Sequence, residues 1–118
     1  MTQLKILIID DEIDSCMIMK SFLEGKSHKV LLGQTIKECL QFLKESPPDI
    51  LLLDNNLPDG KGWDLTESLM KEYPSLRIFL ISAYHQKSDP LPLHGNVTVW
   101  EKPISLSLLN RTFGNGSL

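Results

Sequence analysis

The amino-acid sequence predicts an α/β fold in which a doubly wound, five-stranded parallel sheet carries helices on both faces. Short apolar runs alternate with amphipathic segments along the chain, and this rhythm is typical of successive βαβ units. Residues 50–53 contain only Ile and Leu, which predicts a central strand buried on both faces. The length of 118 residues is sufficient for one domain with one core.

Five apolar segments predict the strands of this sheet. Each is four or five residues long and ends at a polar or turn residue, as buried strands of parallel sheets do. In chain order they are residues 5–9, 28–32, 50–53, 77–81 and 97–100.

The first two helices have recognisable start and stop signals. A helix over about 13–24 ends at Gly25. Thr35 and Glu38 have the spacing of a capping box, which predicts the start of a second helix, and the proline pair at 47–48 closes it. The positions predicted to face the core are Cys16, Met19, Phe22 and Leu23 in the first helix, and Ile36, Cys39, Leu40 and Leu43 in the second.

Two more helices are predicted in the second half of the chain. One covers residues 63–73, and Pro74 ends it. The last covers about 106–113, with Ser105 as its N-cap and Gly114 as its stop signal.

Two loops interrupt this pattern. Residues 57–62 are rich in turn residues, and we expect Gly62 to supply a positive φ there. Residues 85–96 should contain the helix between the fourth and fifth strands, but they carry Pro90 and Pro92 and no apolar period. Because a proline inside a helix costs about 3 kcal/mol, the fourth helix is expected to be degraded to a turn or lost.

The charge and cysteine content exclude several functional classes. A net charge of −3 and a pI near 5.5 provide no basic surface for direct nucleic-acid binding. No apolar run has the length of a membrane span, and the N-terminus lacks a signal-peptide pattern, so we expect no membrane association and a cytoplasmic location. Cys16 and Cys39 lie among apolar residues and are expected to be buried free thiols.

Polar side chains follow four of the predicted strands. They are Asp10-Asp11, Asp54, Ser82-Ala83 and Lys102-Pro103. Because the carboxyl ends of parallel strands meet at one edge of the sheet, we expect these groups to converge. Three carboxylates at close range repel one another and raise a pKa, and Mg²⁺ with its preference for oxygen ligands relieves that repulsion. The three scattered histidines offer no zinc-ligand spacing. A lysine beside such acids suits a phosphoryl group.

The same four polar sites, together with the loop Asp54-Asn55-Asn56-Leu57-Pro58-Asp59-Gly60-Lys61-Gly62, resemble the receiver domain of two-component response regulators. The resemblance covers almost the whole chain. It implies a CheY-like domain over residues 1–113 with the flavodoxin-like strand order 2-1-3-4-5, and a tail or linker stub over residues 114–118.

The resemblance also implies a phosphoacceptor and a set of metal ligands. Asp54 would be the carboxylate nucleophile that forms an aspartyl phosphate. Mg²⁺ would be held by Asp11, by Asp54, by the backbone carbonyl of Asn56, and by Asp10 either directly or through a water molecule. Phosphorylation on Asp54 would therefore depend on Mg²⁺.

Further residues would contact the phosphoryl group and respond to it. The resemblance implies that Lys102 pairs with phosphoryl oxygens, that the Lys102-Pro103 peptide is cis, and that Ser82 donates a hydrogen bond to the phosphate. The family's switch aromatic lies three residues before the lysine, where this chain has Val99, and the aromatic is instead Trp100. One step along a strand reverses the face of a side chain. Either the strand is shifted or bulged, or Trp100 does not act as the switch.

The implied partners are a sensor histidine kinase or a phosphotransfer protein, and a downstream output domain or protein. The domain would be no enzyme beyond self-phosphorylation from a phosphodonor and autodephosphorylation. One alternative is a degenerate receiver-like binding module that does not switch. Another is a small aspartyl-phosphate phosphatase, which would need an Asp where this chain has Asn56.

Overall fold

The computed structural model describes residues 3–83 and 96–114. The predicted loss of the fourth helix falls almost entirely on residues 84–95, and most of the predicted tail falls on residues 115–118. These two predictions lie outside the described residues.

The main sheet has five parallel strands, as the sequence predicts. They are β1 (Lys5–Ile9), β2 (Lys29–Gly33), β3 (Ile50–Asp54), β6 (Arg77–Ser82) and β7 (Val97–Glu101). Their spatial order is β2-β1-β3-β6-β7, and every neighbouring pair is parallel. The two-residue strands β4 (Asn56–Leu57) and β5 (Gly60–Lys61) form a separate antiparallel hairpin. Since β6 and β7 are the fourth and fifth strands of the sheet, the predicted order 2-1-3-4-5 is confirmed.

Four α-helices accompany the sheet within the described ranges. They are α1 (Ile13–Gly25), α2 (Ile36–Glu45), α3 (Thr66–Glu72) and α4 (Leu106–Phe113). A 3-10 helix over Gly62–Leu65 precedes α3, so the single helix predicted over 63–73 is wrong in its first turn. The backbone there is tied to the preceding loop, because the Trp63 N–H donates to Asn55 Oδ1 at 2.8 Å. No helix of the described residues is both long and apolar enough to span a membrane.

Two hydrophobic cores lie on opposite faces of the sheet. The first packs β-strand side chains against Cys16, Met19 and Leu23 of α1 and against Leu109 and Phe113 of α4. The second packs the other sheet face against α2 and α3 through residues that include Cys39, Leu43 and Leu69. Each fully buried aliphatic or aromatic side chain contributes about 1.5–3 kcal/mol. Hydrophobic packing on both faces of the sheet therefore fixes the edge that carries the polar groups.

The predicted inward positions are mostly correct. Cys16 and Cys39 are free thiols in the two separate cores, as expected, and burial raises the pKa of each to about 12. The prediction for Leu40 is wrong: its side chain is 44% exposed. Phe22 is only partly buried at the margin of the first core.

The predicted helix caps form with one change of partner. Thr35 Oγ1 accepts a hydrogen bond from the Glu38 N–H at 3.0 Å, and Ser105 Oγ accepts from the Leu108 N–H at 3.0 Å. Glu38 Oε1 accepts from the Gln34 N–H at 3.0 Å, one residue before the donor that a capping box uses.

The C-terminal end of α4 is fixed by a buried histidine. His28 Nδ1 accepts a hydrogen bond from the Leu4 N–H at 3.0 Å, so its proton is carried by Nε2 in the neutral ring. Nε2 lies 2.5 Å from the Phe113 carbonyl oxygen and donates to it. One side chain thus connects the start of the sheet with the last helix.

Candidate functional site

The structure brings the predicted polar residues together at the carboxyl edge of the sheet. Asp10 directly follows β1, Asp54 ends β3, Ser82 ends β6, and Lys102 directly follows β7. The relative exposure of Asp10, Asp54 and Ser82 is only 2%, 2% and 5%. The Lys102 N–H donates to the Ser82 carbonyl at 2.9 Å, which aligns the ends of the last two strands. Four parallel strands thus each place a polar group, at or directly after the strand end, in one buried site.

The Lys102 ammonium lies among three carboxylates. Its Nζ is 2.9 Å from Glu12 Oε1, 3.4 Å from Asp54 Oδ2 and 3.5 Å from Asp10 Oδ2. The lysine side chain is 21% exposed, and the Lys102-Pro103 peptide is cis. A cation held at this point neutralises part of the acidic charge and is available to an incoming anion.

Burial and charge shift the protonation of this site. Burial raises the pKa of Asp54 from 3.8 to about 6, although the hydrogen bond from the Asn56 N–H lowers it; the charge of Asp10 adds to the rise and Lys102 opposes it. Burial lowers the pKa of Lys102, but the hydrogen bond with Glu12 and the charges of Asp10 and Asp54 outweigh burial and raise it. At neutral pH the site therefore pairs an ionised Asp54 with a protonated lysine.

The loop after Asp54 is built to support the acceptor. The Asn56 N–H donates to Asp54 Oδ1 at 3.2 Å, which leaves Oδ2 toward Lys102. A Cβ on Gly62 would lie 2.7 Å from the Asp54 carbonyl oxygen, so only glycine fits there. The expected positive φ at Gly62 is wrong, because the glycine of this loop that has a positive φ is Gly60, at 150°. The need for glycine at 62 comes from a close backbone approach instead.

Asp59 joins this loop to the neighbouring helix. Its Oδ1 accepts from the Ile36 N–H at 2.8 Å and its Oδ2 accepts from the Lys37 N–H at 3.1 Å. The hydrogen bond from Ile36 lowers the pKa of the Asp59 carboxyl. The first turn of α2 is thus capped by a residue of the acceptor loop as well as by Thr35.

The acidic residues fit a hard divalent cation. Within the described part of the chain, Asp10, Asp11 and Glu12 place one carboxylate oxygen each within 4.8 Å of one another. Oxygen donors of this type, two of them exposed to solvent, suit Mg²⁺, which keeps several of its waters. Asp54 is not a member of this group, and the Asn56 carbonyl remains a predicted ligand. Sequence reasoning missed Glu12, although it directly follows the aspartate pair.

The switch candidates Val99 and Trp100 lie on opposite faces of β7, and the third, Ser82, ends β6. The pairing of β6 with β7 runs without a bulge, with Ile81 opposite Trp100 and Ser82 opposite Glu101. Trp100 is partly buried and packs against the first core, 4.6 Å from the Phe79 ring and 6.0 Å from the Phe113 ring between centroids. Val99 packs against the second core. The absence of a bulge favours the second alternative, in which Trp100 does not act as the switch.

A cleft opens beside Lys102. Its volume is about 450 Å³, and it runs between α1 and the connection from β7 to α4. Its walls include Asp10, Glu12, Ile18, Lys102, Ile104 and Leu106. The cleft therefore joins the polar edge of the sheet to an apolar wall.

Comparisons with known proteins agree with this architecture. A sequence profile described as "Response regulator receiver domain" matches residues 6–110. The response regulator protein PilR of Pseudomonas aeruginosa is 32% identical over 84 residues, which cover 71% of this chain and 19% of PilR. The aerobic respiration control sensor protein ArcB of Escherichia coli is 34% identical over 71 residues, which cover 60% of this chain and 9% of ArcB.

The fold is also shared with a solved structure. The crystal structure of a CheY-like response regulator receiver domain protein from Methanospirillum hungatei superposes with a TM-score of 0.85 at 24% identity and covers 94% of this chain and 90% of that one. The present chain spans between 18% and 38% of the length of the first four curated relatives that it matches.

Proposed function

The chain belongs to the response regulator receiver domain family, a family of signalling modules, and on that premise we propose that Asp54 accepts a phosphoryl group in a Mg²⁺-dependent reaction. The observation that carries this proposal is the position of Lys102, whose Nζ lies 3.4 Å from Asp54 Oδ2 and 3.5 Å from Asp10 Oδ2. A buried carboxylate beside a fixed ammonium is suited to attack phosphorus and to tolerate the charge that arrives with it.

The proposed step is a direct displacement at phosphorus. An Asp54 carboxylate oxygen attacks the phosphorus atom of a phosphohistidine, an O–P bond forms, the P–N bond breaks, and the imidazole nitrogen takes the electron pair. Lys102 then pairs with a phosphoryl oxygen, and the Ser82 hydroxyl donates to another. The site residues Asp10, Asp11 and Asp54, with the Asn56 carbonyl, would hold Mg²⁺. When bound, that ion supplies positive charge for the phosphoryl oxygens.

The proposed partners follow from the chemistry and the relatives. A phosphohistidine donor implies a sensor histidine kinase or a phosphotransfer protein in the cytoplasm. PilR is a response regulator and ArcB is a sensor protein, so segments similar to this chain occur in both kinds of protein. The chain spans less than half of the length of these relatives. We therefore propose that the output activity belongs to a further domain or to a separate protein. We propose no enzymatic role beyond self-phosphorylation and autodephosphorylation.

A second candidate function is a receiver-like module that does not switch. The packing of Trp100 against the first core favours it, because the residues of β7 that pack against the second core are the aliphatic Val97 and Val99. Beryllofluoride with Mg²⁺ separates the two candidates by NMR. Shifts that extend from Asp54 and Ser82 into β7 support switching, whereas shifts confined to the pocket support the binding module.

Incubation with acetyl phosphate tests the proposed acceptor. The intact mass of the unaltered chain should increase by one phosphoryl group in the presence of Mg²⁺ and remain unchanged in EDTA. Asp54→Asn should remain unlabelled while its circular dichroism spectrum stays that of the folded protein. Labelling of the Asn variant would refute the choice of acceptor.

A further inference from the structure

The ion pair between Glu12 and Lys102 has no role in the displacement step described above. Glu12 Oε1 lies 2.9 Å from Lys102 Nζ, closer than the oxygens of Asp54 at 3.4 Å and Asp10 at 3.5 Å. We propose that the Glu12 side chain holds Lys102 in the unphosphorylated protein and must release it to the phosphoryl group. Glu12 is then a positioning residue that limits phosphorylation of Asp54. This inference rests on the proposed function.

Among the three acids, Glu12 is the one that can release Lys102. Its side chain is 61% exposed, whereas those of Asp10 and Asp54 are 3% and 2% exposed. A lysine ammonium has three N–H donors, and three carboxylates surround this one. An arriving phosphoryl group needs one of those donors. An exposed carboxylate regains water when it loses its partner, so its ion pair contributes little, whereas a buried carboxylate would be left without compensation.

Charge repulsion acts in the same direction. A phosphoryl group adds a charge of about −1.5 to −2, and it would contact the same ammonium that Glu12 contacts. Two anions that share one cation at close range disfavour each other. The Glu12 carboxylate therefore opposes the phosphorylated state both as a competitor for Lys102 and as a like charge.

The side chain of Glu12 can be changed without disturbing its backbone role. The Glu12 N–H donates to Asp10 Oδ1 at 2.9 Å, and the Glu12 carbonyl accepts from the Cys16 N–H at 3.1 Å. Both bonds remain in a Glu12→Gln variant. Glu12 is the N-cap of α1, but its side chain makes no capping hydrogen bond. An effect of Glu12→Gln on the site thus reports the carboxylate.

Zero-length cross-linking tests the contact itself. A carbodiimide should join Glu12 to Lys102 as an amide, which peptide mass spectrometry identifies, and Mg²⁺ with beryllofluoride should abolish that product. The ion pair of Lys20 with Glu24, at 3.1 Å, is an internal control that should cross-link equally in both conditions. A Glu12–Lys102 product that persists unchanged with beryllofluoride bound would overturn the proposal.

Beryllofluoride titration in saturating Mg²⁺ tests the consequence. Glu12→Gln should bind this phosphoryl mimic about two- to fivefold more tightly, the range expected for an exposed ion pair. The control Asp14→Asn removes another exposed acid from the first turn of α1 and should bind like the unaltered chain. Equal beryllofluoride affinity of Glu12→Gln and the unaltered chain would refute the role of Glu12 and leave the proposed function of Asp54 intact.

Two further outcomes have distinct meanings. If the unaltered chain binds no beryllofluoride, the proposed function fails, and the inference fails with it. If Glu12→Gln loses as much Mg²⁺ affinity as Asp11→Ala, then Glu12 is a metal ligand. Its assignment as the residue that restrains Lys102 is then overturned.

Discussion

Replacement of Asp54 by Asn should stabilise the metal-free protein above pH 6. The pKa of Asp54 rises from 3.8 to about 6 on folding, chiefly through burial. At about 1.4 kcal/mol for each unit of pKa, the ionised carboxylate opposes folding by about 3 kcal/mol. This figure already includes the attraction to Lys102 at 3.4 Å, which lowers the pKa of Asp54. We therefore expect the Asn side chain to raise the free energy of unfolding by up to about 3 kcal/mol.

The sign of this effect sets its pH dependence. A carboxyl whose pKa is raised on folding contributes most to stability when protonated, and it loses that contribution as the pH rises from 3.8 through about 6. The Asn variant and the unaltered chain should therefore differ little below pH 3.8 and fully above pH 6.

Urea denaturation in EDTA across this pH range measures the difference. Asp14→Asn, which removes an exposed acid of α1, should leave stability nearly unchanged. An Asp54→Asn variant no more stable than the unaltered chain at any pH would show that burial of the ionised Asp54 carboxylate does not oppose folding.

Three other variants test the surrounding structure. Gly62→Ala should lose about 1–3 kcal/mol of stability, because its Cβ would lie 2.7 Å from a backbone oxygen. Gly25→Ala is the control, since a Cβ there meets nothing within 4 Å. Equal effects of the two variants in urea denaturation would contradict the close approach at Gly62. Phe113→Ala should lower the free energy of unfolding by about 3–5 kcal/mol, since the ring is 2% exposed; a loss below about 1 kcal/mol would contradict its place in the core. Asp11→Ala should weaken Mg²⁺ binding in a calorimetric titration. Lys102→Ala removes a competing cation and should not weaken Mg²⁺ binding. An Asp11→Ala variant with unaltered Mg²⁺ affinity would reject Asp11 as a metal ligand.

The sheet and most helix limits could be predicted because their signals are local. Residues 50–53 are apolar without interruption, and β3 is buried along its whole length. The last helix begins and ends as predicted at Leu106–Phe113, since Ser105 supplies a side-chain cap and Gly114 follows the last turn. The convergence of Asp10, Asp54, Ser82 and Lys102 followed from parallel topology alone.

The features that sequence reasoning missed depend on contacts between distant segments. Glu12 and Lys102 are separated by 90 positions in the chain, so nothing local indicates that this acid approaches the lysine most closely. The requirement for Gly62 comes from the Asp54 carbonyl rather than from the turn itself. Leu40 has the spacing of an inward residue, but 44% of it stays exposed.

Identification of the phosphorylated side chain tests whether Asp54 is the phosphoacceptor. The unaltered chain is treated with acetyl phosphate and Mg²⁺, then reduced with borohydride, which converts an aspartyl phosphate to homoserine, and peptides are sequenced by mass spectrometry. We expect homoserine in place of Asp54 and at no other aspartate, and none when EDTA replaces Mg²⁺. Homoserine at Asp10 or Asp11 instead, or the absence of any reduced aspartate, would contradict it.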